Sequence, residues 1–389
     1  MNVTQQGVIT LLRSAVTGEK LELPAEFDLE AAYPELKKHN MDTLLYEGAV
    51  RCGISRQNPV MQQLFGRYCR YLMVAEGQQR RIREIFGAFE ANGIEYLPLK
   101  GCRMRKLYPK PELRYMGDAD ILIRVEQYDK IAAVMESLGF AEKRESDHEK
   151  KWLHPELYTE LHKRLIPSYN ADFYDYYGTG WQLAAYREGC CWSMKPEDEW
   201  IFLFTHFAKH FRDGGIGCRY VLDLWMFLEH NPDMDEAYIR RELEKLQLQE
   251  FHENIRKLTM VWFGDTCTDS KLDAMTDYIF ASGSWGENLS RTVSVAVRDS
   301  RQTGQVEEGK LRYLLRIAFP DVGTLKDKYT VLKKWPWLLP LVWLVRPFYK
   351  VFWERKSLQR HKDNLQSITD KSVSERRQLL QYFGIDYRF

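Results

Sequence analysis

Residues 97–124 read LPLKGCRMRKLYPKPELRYMGDADILIR, and this stretch decides the fold. An apolar strand, Ile94 to Leu99, runs into a Lys100-Gly101 turn; after a polar interval, Asp118 and Asp120 lead the apolar run Ile121, Leu122, Ile123. Residues two apart in a strand lie on the same side, so both carboxylates can face a single divalent cation. Glycine at the end of the first strand lets backbone N–H groups approach a phosphate closely, and a short helix starting there would direct its positive end at the same anion. On this reading the carboxylates hold a metal and the turn holds a triphosphate.

A third carboxylate is needed, because two cations about 3.5 to 4 Å apart cannot be held by two carboxylates alone. Beyond a helix expected over Glu126 to Leu138 and ended by Gly139 comes a strand-like segment, Leu157 to Leu165, reading LYTELHKRL. Tyr158, Glu160 and His162 share one face of it, which makes Glu160 the third carboxylate and puts His162 beside it. The plainer readings are a solvated Glu160 paired with Lys163 or Arg164, and a structural His162. From Lys100 to Arg124 seven basic residues stand against Glu112, Asp118 and Asp120, in a chain of net charge +1. That local excess suits a polyphosphate, with Lys100 and Arg114 best placed to contact it.

At these residues the chain resembles the nucleotidyltransferase superfamily of the polymerase-beta type, and more closely a bacterial subgroup of uncharacterised nucleotidyltransferases. The Lys100-Gly101 turn, Arg114, Asp118-x-Asp120 and Glu160-Leu-His162 carry the resemblance, which extends over nearly the whole chain. Two departures stand out. Cys102 occupies the place of the superfamily's Ser or Gly, removing a hydroxyl contact to the terminal phosphate, and the 15 residues between Cys102 and Asp118 imply an extra loop through Pro109 and Pro111. The resemblance implies metal-dependent transfer of a nucleoside monophosphate from an NTP to an acceptor, with release of pyrophosphate. Asp118, Asp120 and Glu160 would be catalytic and would bind Mg2+ (or Mn2+). Lys100, Gly101, Cys102, Arg114, His162, His210 and Arg219 would serve the nucleotide. A catalytically inactive nucleotide-binding or regulatory module is the alternative. A DxD nucleotide-sugar glycosyltransferase is a further one, but there the apolar strand precedes the acidic pair, whereas here it follows. The acceptor is not legible.

The expected class is α+β, a small mixed sheet embedded in helical regions: 1–75 helical, 76–170 the nucleotidyltransferase core, 180–310 helical, 311–389 a helical tail. Helical periodicity marks Val8 to Val16, Met61 to Val74 and Gln78 to Ala91. The polar stretch after Gly139 can form a hairpin with Leu157 to Leu165, hence a mixed sheet. A helical half begins near Glu197; it carries His206 and His210 one turn apart, and Arg219 and Asp223 likewise. Lys209, His210 and Arg219 either close a nucleotide or acceptor pocket or form a polar contact between helices. The His-x-x-x-His pair has Phe207 where a metalloprotease has Glu, so zinc is not expected.

Trp335 to Val345, WPWLLPLVWLV, is too short to span a bilayer. It is read as internal packing, with an aromatic anchor at a membrane surface as the alternative. Ser357 to Tyr382 reads as a polar helix ended by Gly384. With 44% hydrophobic and 29% charged residues the composition is that of an ordinary soluble protein. No secretory signal is evident, and seven cysteines without a CxxC pair fit reduced thiols in the cytoplasm. Neither the net charge nor a long basic tract indicates a nucleic-acid partner.

Overall fold

The structure is a computed structural model; it describes residues 1–283, 318–320, 322–325, 329–353 and 369–386, with Ser294 and Leu315 singly. The chain divides into two compact units, Met1–Lys209 with Gly215–Trp285, and His210–Gly214 with Gly286–Phe389.

The first unit opens on helices α1 (Val3–Thr17), α2 (Leu29–Leu36) and α3 (Asp42–Arg51). Asn2 and Gln5 form a capping box at the start of α1, satisfying two backbone donors that the first turn leaves open. α1 and α3 cross so closely that a Cβ on Gly48 would stand 2.0 Å from the Leu11 carbonyl oxygen. The two periodic stretches after Asn58 are one helix, α4 (Pro59–Ala91), capped by Asn58 and led by Pro59. Its 33 residues make it about 50 Å long. No proline interrupts it, and Gly77 within it leaves room for the Glu156 side chain, 3.2 Å from where a Cβ would be.

Among the described residues seven strands form one mixed sheet: β1 (Tyr96–Pro98), β2 (Ala119–Ile123), β3 (Ala141–Glu145), β4 (Glu149–His154), β5 (Leu157–His162), β6 (Ala184–Glu188) and β7 (Cys191–Met194), in the order β3-β4-β5-β2-β1-β7-β6. β2 runs antiparallel to β1 and parallel to β5. The expected β4–β5 hairpin is present, and β3 extends it. The β6–β7 hairpin, which pairs β7 with β1 in parallel, was not legible: its strands are short and β6 is mostly exposed, so no apolar alternation marks it. One-turn α5 (Gly101–Met104) follows β1, and α6 (Tyr128–Ser137) follows β2, ending at Gly139 with φ +83. Ala119, Ile121, Ile123, Trp152, Leu157 and Leu161 form the apolar face of the sheet, packed on Ile85 and Phe89 of α4 and Ile131 and Met135 of α6. Helices α7 (Ala171–Tyr177), α8 (Pro196–Asp213), α9 (Cys218–His230), α10 (Glu236–Lys245), α11 (Gln249–Phe263) and α12 (Ser270–Ser282) complete the α+β class the sequence indicates.

The second unit holds a helix over Leu339–Trp353, preceded by a 3-10 turn at Pro336–Leu338, and a helix over Asp370–Tyr382 followed by Gly384 at φ +85. Residues 357–368 of the expected polar helix lie outside the described residues. The expectation of internal packing for Trp335 to Val345 is corrected: Trp337 is 72% exposed and Leu344 67%, with Trp335, Leu341 and Val345 also exposed. The segment is apolar all round the helix, while the small cluster of Leu325, Leu332 and Val342 covers only one side of it.

Candidate active site

Strand register builds the site. Asp120 lies opposite Glu160, and Glu160 opposite Lys151; one step along, His162 lies opposite Glu149. Side chains two apart share a face, so Asp120, Glu160, His162, Glu149 and Lys151 all project from the face opposite the apolar one. Tyr158, Glu160 and His162 therefore share a face as expected. Asp120, Glu149, Glu160 and His162 are all buried, so their charges must be paired. Lys100 Nζ lies 2.7 Å from Asp120 Oδ1, and His162 Nε2 lies 2.7 Å from the same oxygen. Lys151 Nζ bridges Glu160 and Glu149, 2.7 Å from Glu149 Oε1. Facing a carboxylate, His162 Nε2 donates, and its Nδ1 is buried without a hydrogen-bond partner.

The turn is strained. Lys100 adopts φ 39 and ψ −110, a left-handed conformation that disfavours side chains other than glycine's hydrogen. Its neighbour Gly101 is needed for space: a Cβ there would meet Met116 at 2.9 Å and Arg114 Nη1 at 3.2 Å. The Cys102 N–H donates to the Leu99 carbonyl, and those of Arg103 and Met104 to the Lys100 carbonyl, so these three groups close the turn. Leu99 N–H donates to the Asp120 carbonyl, fixing the turn beside the acidic strand. The extra loop is present as two 3-10 turns, Arg105–Leu107 and Pro111–Leu113. It is clamped from α4: Gln78 Nε2 donates to the Met116 carbonyl, and the Tyr71 hydroxyl donates to the Arg114 carbonyl while accepting from Met116 N–H. Buried Arg105 donates to Tyr71 and Gln78. Tyr71, Gln78 and Arg105 thereby fix the segment that leads into Asp118 and the strand; sequence reasoning missed Tyr71 and Gln78, whose signal is a polar pair seven residues, two helix turns, apart on α4.

Like charges crowd at this end of β2. Burial, then the negative charges of Asp120 and Glu160, push the Asp118 carboxyl up to about 7. Burial, Asp120 and Glu149 raise Glu160 as well. Burial alone would raise Asp120, but Lys100 and His162 outweigh it and hold that carboxyl well below the usual range. For Lys100, burial works against the charge and is outweighed by Asp120, so the ammonium is held above its ordinary value. Cys102 is a buried thiol pushed up to about 12, by burial first and then by Asp120.

Arg114, which touches the turn at Gly101, and Arg219 meet at one buried carboxylate. Arg114 grips Asp223 with two hydrogen bonds, Nε to Oδ1 at 2.8 Å and Nη2 to Oδ2 at 3.0 Å. Arg219 Nη1 reaches the same carboxylate at 3.0 Å, the pairing its i, i+4 spacing suggests, and the Tyr108 hydroxyl donates to it at 2.7 Å. Asp223 is thus the hub that ties the extra loop to α9. His206 belongs to the first unit and His210 to the second.

The donor set suits a hard divalent cation. Asp120, Glu160 and His162 bring ligand atoms within 4.8 Å of one another, and the charge of Asp120 and Glu160 is felt at Asp118, just before the strand. His148, Glu149 and His162 form a second such group among the described residues, but the Lys151 ammonium stands on Glu149 there. His148, Glu149 and Lys151 were not picked out from the sequence; the available signal was the alternation of Glu149 and Lys151 in a strand opposite Glu160.

A mixed sheet with carboxylates from adjacent parallel strands, set beside a strained Lys-Gly turn, is the arrangement the nucleotidyltransferase resemblance implies. The chain belongs to a family described as uncharacterised nucleotidyltransferases, whose family model matches residues 25–264. No curated protein and no solved structure matches it.

Proposed function

We propose that the protein transfers a nucleoside monophosphate from an NTP to a hydroxyl or similar acceptor, releasing pyrophosphate, with Asp118, Asp120 and Glu160 holding Mg2+ or Mn2+. The observation that supports this reading is the pairing of Asp120 with Glu160 across adjacent strands, with His162 beside them and ligand atoms within 4.8 Å of one another; Asp118, raised to about 7 by burial and by their charge, would complete the set. Repulsion of that kind is relieved by a bound cation. When bound, a divalent cation neutralises the charge that develops on the triphosphate.

The chain's own residues supply the remainder. Glu160, opposite Asp120 on the neighbouring strand, would take the acceptor's proton as its oxygen attacks the α-phosphorus. The bond from that phosphorus to the bridging oxygen breaks, and pyrophosphate leaves with the electron pair. The Lys100 ammonium, at the turn beside Asp120, meets the departing phosphates. Seven free thiols accord with a cytoplasmic setting, where NTP and Mg2+ are at hand.

Label separates this reaction from kinase chemistry. Label in the α-phosphate should appear in the acceptor fraction of a cell extract, and label in the γ-phosphate should leave as pyrophosphate. Transfer of the γ label would overturn the reading, and so would the failure of all four NTPs to bind with either metal, which favours the inactive module.

A further inference from the structure

We infer that the helix starting at Leu339 docks in the plane of an anionic lipid surface, through a face made of Trp337, Leu341, Leu344 and Val345. Leu341, Leu344 and Val345 share one stripe of the helix and Trp337 stands in the 3-10 turn that leads into it; the exposures of Trp337, Leu341, Leu344 and Val345 are 72, 57, 67 and 60%. The opposite side, Leu338, Val342 and Trp343, packs on Leu325 and Leu332. Trp343 Nε1 donates to the Pro320 carbonyl at 2.9 Å, and its ring meets Phe319 edge-on at 5.2 Å. The helix is therefore fixed on one side and leaves an apolar, tryptophan-bearing stripe facing water on the other. Contiguous exposed apolar surface of this kind marks an interaction site.

Charge selects the occupant. Between Lys326 and Lys356 the sequence has eight Lys and Arg against Asp327 and Glu354, a local net of +6 in a chain of net +1. Two copies of such a segment repel each other, whereas an anionic lipid surface attracts about 1 kcal/mol per basic residue near it. Tryptophan suits the headgroup boundary, with its ring apolar and its indole N–H wet. The stripe does not span: no helix among the described residues is long and apolar enough to cross a membrane. A surface helix with Trp and Leu on one face and basic residues at its flanks lies in the interface. Such docking would hold the enzyme where lipid-borne or membrane-proximal acceptors are met.

The test is co-sedimentation of the full chain with vesicles of phosphatidylcholine, with and without phosphatidylglycerol. Binding is expected with phosphatidylglycerol, weaker without it and weakened by salt. The double variant Trp337→Ser/Leu344→Ser should bind about tenfold more weakly at an unchanged melting temperature. Brominated lipid should quench the parent's fluorescence and quench the Trp337→Phe variant less. Failure to bind phosphatidylglycerol vesicles, binding untouched by the double substitution, or a dimer in solution that the double substitution abolishes would each overturn the inference. None of these readouts depends on nucleotide chemistry, so the result stands apart from that of the label experiment.

Discussion

The polar face of the sheet and the tryptophan-bearing helix of the second unit break opposite rules. On the sheet, Asp120, Glu149, Glu160 and His162 are charged or titratable yet buried; on the helix, Trp337, Leu341 and Leu344 are apolar yet exposed. A sequence that served folding alone would place neither. The buried charges are compensated within the fold, by Lys100 on Asp120 and Lys151 on Glu160 and Glu149, and so can be held ready for a cation. Nothing comparable covers the exposed stripe among the described residues, which is why its partner is sought outside the chain.

The largest effect should come from the buried side of that contrast. Asp118→Asn/Asp120→Asn should lower nucleotidyl transfer by at least about a thousandfold, the scale on which lost electrostatic stabilisation acts, while circular dichroism still reports a folded chain. Glu160→Gln should be impaired nearly as much but keep Mg2+-dependent NTP binding by calorimetry. A double variant with full activity would end the assignment of the carboxylates to catalysis.

Next comes the hub at Asp223. Arg114→Ala leaves a buried carboxylate short of its two-pronged partner and should cost about 3 to 5 kcal/mol in denaturant unfolding. Arg219→Ala should cost about 1 kcal/mol, since Arg114 and Tyr108 still hold Asp223. An order-of-magnitude loss of NTP affinity in Arg219→Ala at unchanged stability would make Arg219 a phosphate ligand instead.

The exposed side is checked by an asymmetry between tryptophans. Trp343→Ala should cost about 2 kcal/mol, less than the roughly 3 to 5 kcal/mol of a fully buried aromatic. Trp337→Ala should stay within about 0.5 kcal/mol of the parent. Equal losses would show that the stripe is packed after all.

A further effect is a pH dependence. In the fold, the raised carboxyl of Asp118 keeps its proton after the unfolded chain has lost it. Its stabilising contribution is complete below about pH 4, the unfolded value, and is lost as pH rises through about 7. Asp120, held low by Lys100, titrates below that window and loses stability in the opposite direction, as pH falls. At pH 8 without Mg2+, Asp118→Asn should therefore be more stable than the parent by about 1 to 2 kcal/mol, after allowing for the water that reaches this half-buried group. The gap should vanish near pH 4, and Mg2+ should close it at pH 8. A gap constant from pH 4 to 8 would mean that Asp118 is not crowded by Asp120 and Glu160.

By itself the sequence determined the parts that depend on local order. Strand alternation put Tyr158, Glu160 and His162 on one face, and Gly139 stopped a helix where a left-handed residue was needed. The i, i+4 spacing paired Arg219 with Asp223. These readings hold because side-chain direction repeats every 2 residues in a strand and every 3.6 in a helix, whatever the rest of the chain does. Tertiary structure decided what local order cannot carry. Which strands adjoin set Lys151 against Glu160, nine residues away, and joined β7 to β1 across nearly a hundred. Arg114 lies near the acidic pair in sequence, but folding brings Asp223 to it from 109 residues away, and a two-pronged bond to that buried carboxylate engages its Nε and Nη2. The space behind Gly101 is filled by Met116, so the glycine answers to a neighbour the turn sequence does not contain. The tryptophan segment shows the same limit from the other direction. Its composition requires burial, but only the amount of apolar surface that folds against it, here one small cluster on one side, fixes how much of that burial the chain can provide.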